Sequence, residues 1–492
     1  MLEFRACGVA GFSSQLLAEP HVLRVEKRPL RVRAQFAIRP QIVATREGPV
    51  GARVGDAVLT AASGEQWPVG QATFARRYRM IPGCSGDEYE SVPAASLALQ
   101  VREPFQVVLE NGAGRLSGGP GDWLVDYGDG QLGIVAADVF AATYRPLDRP
   151  WLLLHRRVQS VLLAGLRFPG VRARPPAPPP AALAHLIAAL APAQAASNSR
   201  AVHAGNRYRS AFWGLYLLSS LAVLCAVMPL VLGWADPGHA MHAWAPFWAL
   251  LEVGVIALLG LVFLHGHRHD WQGQWLASRT EAELARTLPL VAPLALPAPP
   301  GAPASWYARL APLTLRAAPG GAIDALCASM ETDAAAALAG AWSDPAFVAQ
   351  YAAWAASQFQ VQRSYHQRVA LRSEALLRRT HTINAALFGL TLAGAVAHLA
   401  FHSVWLSLVT ICFPAVAASL HGAVAQSESF RLAAASRRLA GQLDVAVAAI
   451  GAAQKAGDCA RVRASIEGAL IFILDEHRDW HMLVRPHHLP LG

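Results

Sequence analysis

Charge is what this chain has least of. Only 15% of its 492 residues are Asp, Glu, Lys or Arg, while 54% are hydrophobic; soluble domains carry about 25% charge. That shortage argues against a wholly water-soluble globule and puts part of the chain in lipid. Cysteine is also thin on the ground: Cys7, Cys84, Cys225, Cys327, Cys412 and Cys459 are scattered without a C-x-x-C pair. Such scatter gives no disulfide framework and no zinc signature, and suits a reducing compartment. No Walker motif, no G-x-G-x-x-G and no cyclase signature occurs. No Ser/His/Asp, Cys/His or paired-carboxylate arrangement supports a catalytic site, so neither an enzyme nor a cofactor is expected. The first 17 residues include Glu3 and no continuous apolar core, unlike a secretory signal.

What is present is four long apolar runs in two pairs, 212–233 with 246–266 and 383–401 with 404–424. Each is about the 20 residues that cross a ~30 Å hydrocarbon layer as a helix, so two transmembrane hairpins are expected. Gly389, Ala393, Gly394 and Ala397 offer the small surfaces that let membrane helices approach closely. Arg200, Arg207 and Arg209 precede the first run, and Arg268, Arg279 and Arg286 follow the second. Arg372, Arg378 and Arg379 precede the third, and Arg431, Arg437 and Arg438 follow the fourth, whereas the turns 234–245 and 402–403 contain no Lys or Arg. The positive-inside rule then places both termini and the central segment in the cytoplasm, with only the turns facing out. Trp213, Trp234, Trp244, Trp248 and Trp405 are expected at the interfaces. The net charge of +9 lies beside the apolar runs rather than in a basic stripe, which favours anionic lipid headgroups over nucleic acid. Glu252 is the intramembrane candidate: a carboxylate in lipid is expensive and points to function, but it lies about two turns from the outer boundary, so pathway-lining and structural readings both stay open.

The N-terminal third contains a duplication. Gly55-Asp56, Gly64, Val69, Phe74, Tyr78 and Arg79 recur at Gly121-Asp122, Gly130, Val135, Phe140, Tyr144 and Arg145, all displaced by 66 positions, while Pro40 and Gly48 match Pro104 and Gly112 at 64. Each copy predicts a Gly-Asp turn, two short strands and a helical segment with both rings on one face. Units this short bury little alone, so the two are expected to pack as one β-rich domain. The second copy reads PGDWLVDYGDG and resembles the PGDYG domain at Pro120, Gly121, Asp122 and Trp123; the first copy has Val54 and Ala57 in place of the proline and the aromatic. The resemblance implies no catalytic role. Asp56 and Asp122 are read as turn formers.

Trp275, Arg279, Ala282, Glu283 and Arg286 repeat every three or four residues after the second run, placing an aromatic anchor and a charge ladder on one helix face. This W-x3-R-x2-A-E-x2-R pattern resembles the SLATT families, two-TM effectors associated with SMODS and SLOG proteins; Ala285 stands where the family has leucine. The approach 206–224 and the tail 476–491 are similar to that family too. The resemblance implies a membrane-perturbing or pore-forming effector of a bacterial conflict system, acting as a homo-oligomer and triggered by a protein or nucleotide signal at its cytoplasmic domains. The competing reading is a membrane-anchored binding scaffold that uses the duplicated domain. His265, His267 and His269 could hold a metal only with a further ligand that the sequence does not identify, and are read as interfacial; His477, His481, His487 and His488 are read as a solvated tail. The expected fold is a multidomain α+β membrane protein. Its parts are a duplicated β-rich domain (1–150), a proline-rich linker (151–182), a first hairpin with its helix (183–290), a connector (291–345) and a second hairpin with helical extensions (346–492). A four-helix cytoplasmic stalk is the simplest assembly.

Overall fold

A type II turn lies within each copy of the repeat and leads into its apolar strand. In the second, Asp122 N donates to Gly119 O at 3.3 Å, Pro120 holds the first central position and Gly121 the second, with φ +98°, a conformation that glycine adopts without strain. Arg53-Val54-Gly55-Asp56 repeats it, with Gly55 at φ +88° and Asp56 N to Arg53 O at 3.1 Å. The computed structural model describes residues 2–5, 22–45, 48–61, 64–82, 87–109, 114–127, 132–166, 177–296, 332–401 and 403–484. Gly130, the first part of the proline cluster, the expected breaks at Pro299, Pro300, Pro303, Pro312 and Pro319, and the terminal His487 and His488 lie outside these residues.

The first copy and its approach comprise β1 (Leu2–Arg5), β2 (Leu23–Lys27), β3 (Arg31–Phe36), β4 (Gln41–Thr45), β5 (Gly48–Ala52), β6 (Ala57–Ala61), β7 (Gln66–Val69), helix α1 (Gln71–Arg77) and β8 (Tyr78–Met80). The second comprises β9 (Glu88–Ser91), β10 (Ala95–Gln100), β11 (Phe105–Val108), β12 (Arg115–Gly118), β13 (Trp123–Asp126), β14 (Leu132–Val135), α2 (Ala137–Thr143) and β15 (Tyr144–Pro146). Two five-stranded sheets result, in the orders β7-β6-β3-β9-β8 and β14-β13-β10-β2-β15. Their topologies are equivalent, but one strand is exchanged. β9, which leads into the second copy, sits in the first copy's sheet, and β2, which leads into the first copy, sits in the second's. Neither sheet can be completed by one copy alone, which is how two units too small to fold singly make one domain.

The rings align as their spacing predicts. Phe140 stacks on Tyr144 at 4.9 Å and on Trp123 at 3.9 Å; Phe74 stacks on Tyr78 at 5.3 Å. The first copy has Ala57 at the position of Trp123, and the missing ring is supplied from the neighbouring strand. Phe36 pairs with Ala57 in register and meets Phe74 edge-on at 5.3 Å, whereas the equivalent pair in the second copy is Gln100 with Trp123.

The rest is helical: α3 (Leu154–Leu162), α4 (Ala184–Val231), α5 (Ala245–Arg268), α6 (Trp271–Ala295), α7 (Pro345–Ala400), α8 (Val404–Gln426), α9 (Ser429–Lys455) and α10 (Cys459–Val484). The chain is thus of mixed α+β class. Among the described residues four helices contain stretches long and apolar enough to cross a membrane, as the two hairpins require. α4 packs between α5 and α8, and α8 packs on α7, with no comparable packing between α5 and α7. The four spans therefore form an open row. In the outer members α5 and α7, 6% of the most apolar stretch is buried, against 22% in α4 and 17% in α8. The inner contact is close because Gly422 of α8 faces Tyr216, and Ser220 Oγ donates to Ser419 Oγ at 2.7 Å, the small and polar surfaces that hold membrane helices together. Gly394 of α7 approaches Val409 in the same way.

The helical stalk beyond the spans has five members rather than the four expected, because the tail is itself a helix, α10. α7 packs on α9, α9 on α10, and α4 on α6. One apolar core joins all five through residues such as Leu190, Leu288, Tyr351, Leu443 and Ile466. The linker is anchored near its end: Ala177 N donates to Ser357 Oγ of α7 at 2.9 Å, and Leu183, the first residue after it, is fully buried. Trp213 lies at 1% exposure in a core that α4 shares with α6, α7 and α8, rather than in an interfacial belt. The helix expected over 275–286 runs from Trp271 to Ala295, carrying Pro289 and Pro293 inside it.

Candidate functional site

The motif helix points inward. Trp275 seats α6 against α4: its ring lies where a side chain at Gly205 would be, stacks near Tyr208 at 5.6 Å, and receives the Arg209 guanidinium over its face at 4.6 Å. Two turns of helix further on, Ala282 is buried. Between and beyond them Glu283 receives Arg279 at 3.0 Å and also pairs with Arg286. The ladder is therefore an internal ion network, with side-chain exposures of 15% for Glu283 and 12% for Arg286.

This network forms one wall of a cavity of about 90 Å³ to which all five stalk helices contribute. α4 supplies Arg209; α6 supplies Arg279, Glu283, Arg286 and Thr287; α7 supplies Gln362, Tyr365 and His366; α9 supplies Ser436; α10 supplies Glu476 and His477. His366 Nδ1 lies 3.2 Å from Ser436 Oγ, and His477 Nε2 lies 3.4 Å from Thr280 Oγ1. His477 is thus buried rather than part of a solvated tail, because α10 turns it into the bundle.

Burial and charge set the protonation here. Burial alone would raise the Glu283 carboxyl, but Arg286 and then Arg279 outweigh it and hold the group down to about 2. Glu476 lacks such close pairing: burial, opposed in part by Arg279, lifts it to about 7. Burial, reinforced by Arg286, drives the His366 imidazole down to about 3. Two carboxyls in one cavity are thereby separated into one fixed anion and one group that titrates near neutrality.

The remaining sequence candidates lie elsewhere. Glu252 is half-buried on α5. It shares the line of Val255, Leu259 and Val262 at helical spacing, of which Leu259 and Val262 pack against the core around α4, so it sits on the α4-facing seam and not on the outermost face. His265 and His269 meet ring to ring at 4.3 Å and His265 also touches Trp271 at 5.4 Å. Among the described residues no three His, Cys, Asp or Glu side chains gather as a metal site would need. Asp122 spends its carboxylate on backbone, with Oδ2 accepting from Gly119 N at 2.8 Å and Oδ1 from Ala137 N, at the start of α2, at 3.3 Å. Asp56 repeats both contacts with Arg53 N at 2.8 Å and Gln71 N at 3.3 Å. The sequence reading found the α6 residues and the family-like tail that begins at Glu476, but gave no site role to their partners Tyr365, His366 and Ser436, which lie outside both motifs.

A duplicated, strand-exchanged β-domain joined to a helical stalk and four apolar helices defines a multi-pass membrane protein with an N-terminal β-rich module. Residues 48–145 match the protein family described as PGDYG protein, which covers most of the duplication and a minority of the chain. No curated protein and no solved structure matches the chain.

Proposed function

We propose that the chain is a non-enzymatic bacterial inner-membrane effector, with both termini cytoplasmic, whose stalk receives a signal and changes the packing of the spans so that they breach or gate the bilayer. The observation that carries this reading is continuity: α4 and α7 run unbroken from the polar cavity into their apolar stretches. A change in how the stalk helices pack around the cavity therefore moves the spans directly, without an intervening hinge. The open row of spans cannot by itself enclose a water-filled path, so the reading requires several copies. Purified protein in liposomes should release an entrapped dye or pass current, and Glu252→Gln should alter the flux. Tight vesicles with fully inserted protein would remove this proposal.

One observation favours a membrane-anchored scaffold instead. Phe36, Ile38, Ile42 and Val54 of the first copy are exposed at 48%, 91%, 79% and 63%, where the second copy has Gln100, Arg102, Gln106 and Pro120. Harmless, tight vesicles together with a partner captured through residues 1–150, and lost in Ile38→Asp, would support that alternative.

A further inference from the structure

We infer that the stalk cavity is a binding site for a phosphate-type oxyanion. Three guanidinium groups, Arg209, Arg279 and Arg286, face only two carboxylates, Glu283 and Glu476. The Nε of Arg286 is buried with no acceptor among the described residues. Beside it stand neutral donors suited to an anion: the Ser436 and Tyr365 hydroxyls and the Gln362 amide. Planar guanidinium forks with hydroxyl donors are the chemistry that recognises a tetrahedral oxyanion. Size agrees: about 90 Å³ is roughly three times the ~30 Å³ share of one water, room for a small tetrahedral oxyanion and too little for a nucleoside. An excess of buried positive charge is costly when uncompensated, and an anion here would draw α4, α6, α7, α9 and α10 together at one point.

The inference uses the same cavity as the proposed effector but does not depend on conduction. Calorimetric titration of sodium phosphate into the full-length protein in a neutral detergent should give saturable heat that sodium chloride at equal ionic strength does not. Arg286→Gln should weaken binding at least tenfold, while Arg461→Gln, on an exposed position of α10, should not change it. Should Arg286→Gln fail to fold, Arg286→Lys keeps the charge but loses the fork and should still bind several-fold more weakly. Short-chain phosphatidylglycerol in place of phosphate tells a lipid headgroup from the free ion, since the ligand is whichever shows the Arg286 dependence. Heat no greater than with chloride for both probes, or equal affinity in the Arg286 variants, overturns the site. Phosphate binding without dye release keeps the site and removes the effector; release without binding does the reverse.

Discussion

Glu476 and Glu283 differ in what surrounds them rather than in kind, and the difference has a measurable sign. Glu283 is anchored between Arg279 and Arg286 and stays ionised at any pH where the protein is handled. Glu476 faces Arg279, Glu283, Arg286 and Arg209 across the cavity, Tyr365 and His366 from α7, and His477 on its own helix. Its folded value near 7 lies above the ordinary carboxyl value of about 4.3, so the folded state keeps a proton that the unfolded chain has released. Stability contributed by this group is full below the ordinary value and falls as pH rises to about 7. Glu476→Gln should therefore flatten the thermal-melting profile between pH 5 and 8 and raise the melting temperature at pH 8. An unchanged slope would mean that water reaches the carboxylate and it ionises freely.

At the scale of elements, contact between spans depends on where side chains are missing. A methyl group at Gly422 would fall 2.5 Å from the Tyr216 ring, whereas one at Gly389 meets nothing within 4 Å. Gly422→Ala should destabilise the detergent-solubilised protein by about 2 kcal/mol, the usual penalty for overpacking, and weaken the α4–α8 contact; Gly389→Ala should leave melting unchanged. Equal effects would place the tight crossing elsewhere. Both glycines lie in apolar runs, and the sequence pattern pointed to Gly389 as a close-approach surface and not to Gly422. Only the helix rotations distinguish the one facing a tyrosine from the one facing outward. Similarly, the i, i+4 spacing of Phe140 and Tyr144 disclosed the stacked rings, but replacement of Trp123 by Phe36 from an adjacent strand depends on pairing register that spacing does not reveal.

At the scale of the whole molecule, one buried carboxylate joins the β-domain to the helices. Asp148, with 2% of its side chain exposed, receives Arg24 at 2.9 Å, His203 of α4 at 2.9 Å and Asn206 of α4 at 3.2 Å. Burial would raise its carboxyl, but His203 and Arg24 outweigh it and hold it below the usual range. Removing one partner from a buried charged network leaves the others uncompensated. Asp148→Ala should therefore loosen the β-domain, with limited proteolysis between 163 and 180 accelerating about tenfold while the helical stalk persists as a fragment. Wild-type cleavage would shift the docking role to Arg156, which donates to Asn206 at 3.0 Å, and to Ser210, which donates to Leu152 O at 2.7 Å.

The pattern of residues along the chain was enough to determine the apolar stretches, the duplication and the single-faced stripe of α6, because hydrophobic run length, fixed displacement and helical spacing are properties of a line. What lies opposite each stripe is a property of space. The exchange of β2 and β9, the open order of the four spans, and the meeting of Glu283 with Glu476 across nearly two hundred residues arise only when distant elements pack. Burial is the physical reason this matters: an arginine ladder in water is an ordinary solvated face, and the same ladder closed in by four further helices is a charged chamber whose groups set one another's protonation.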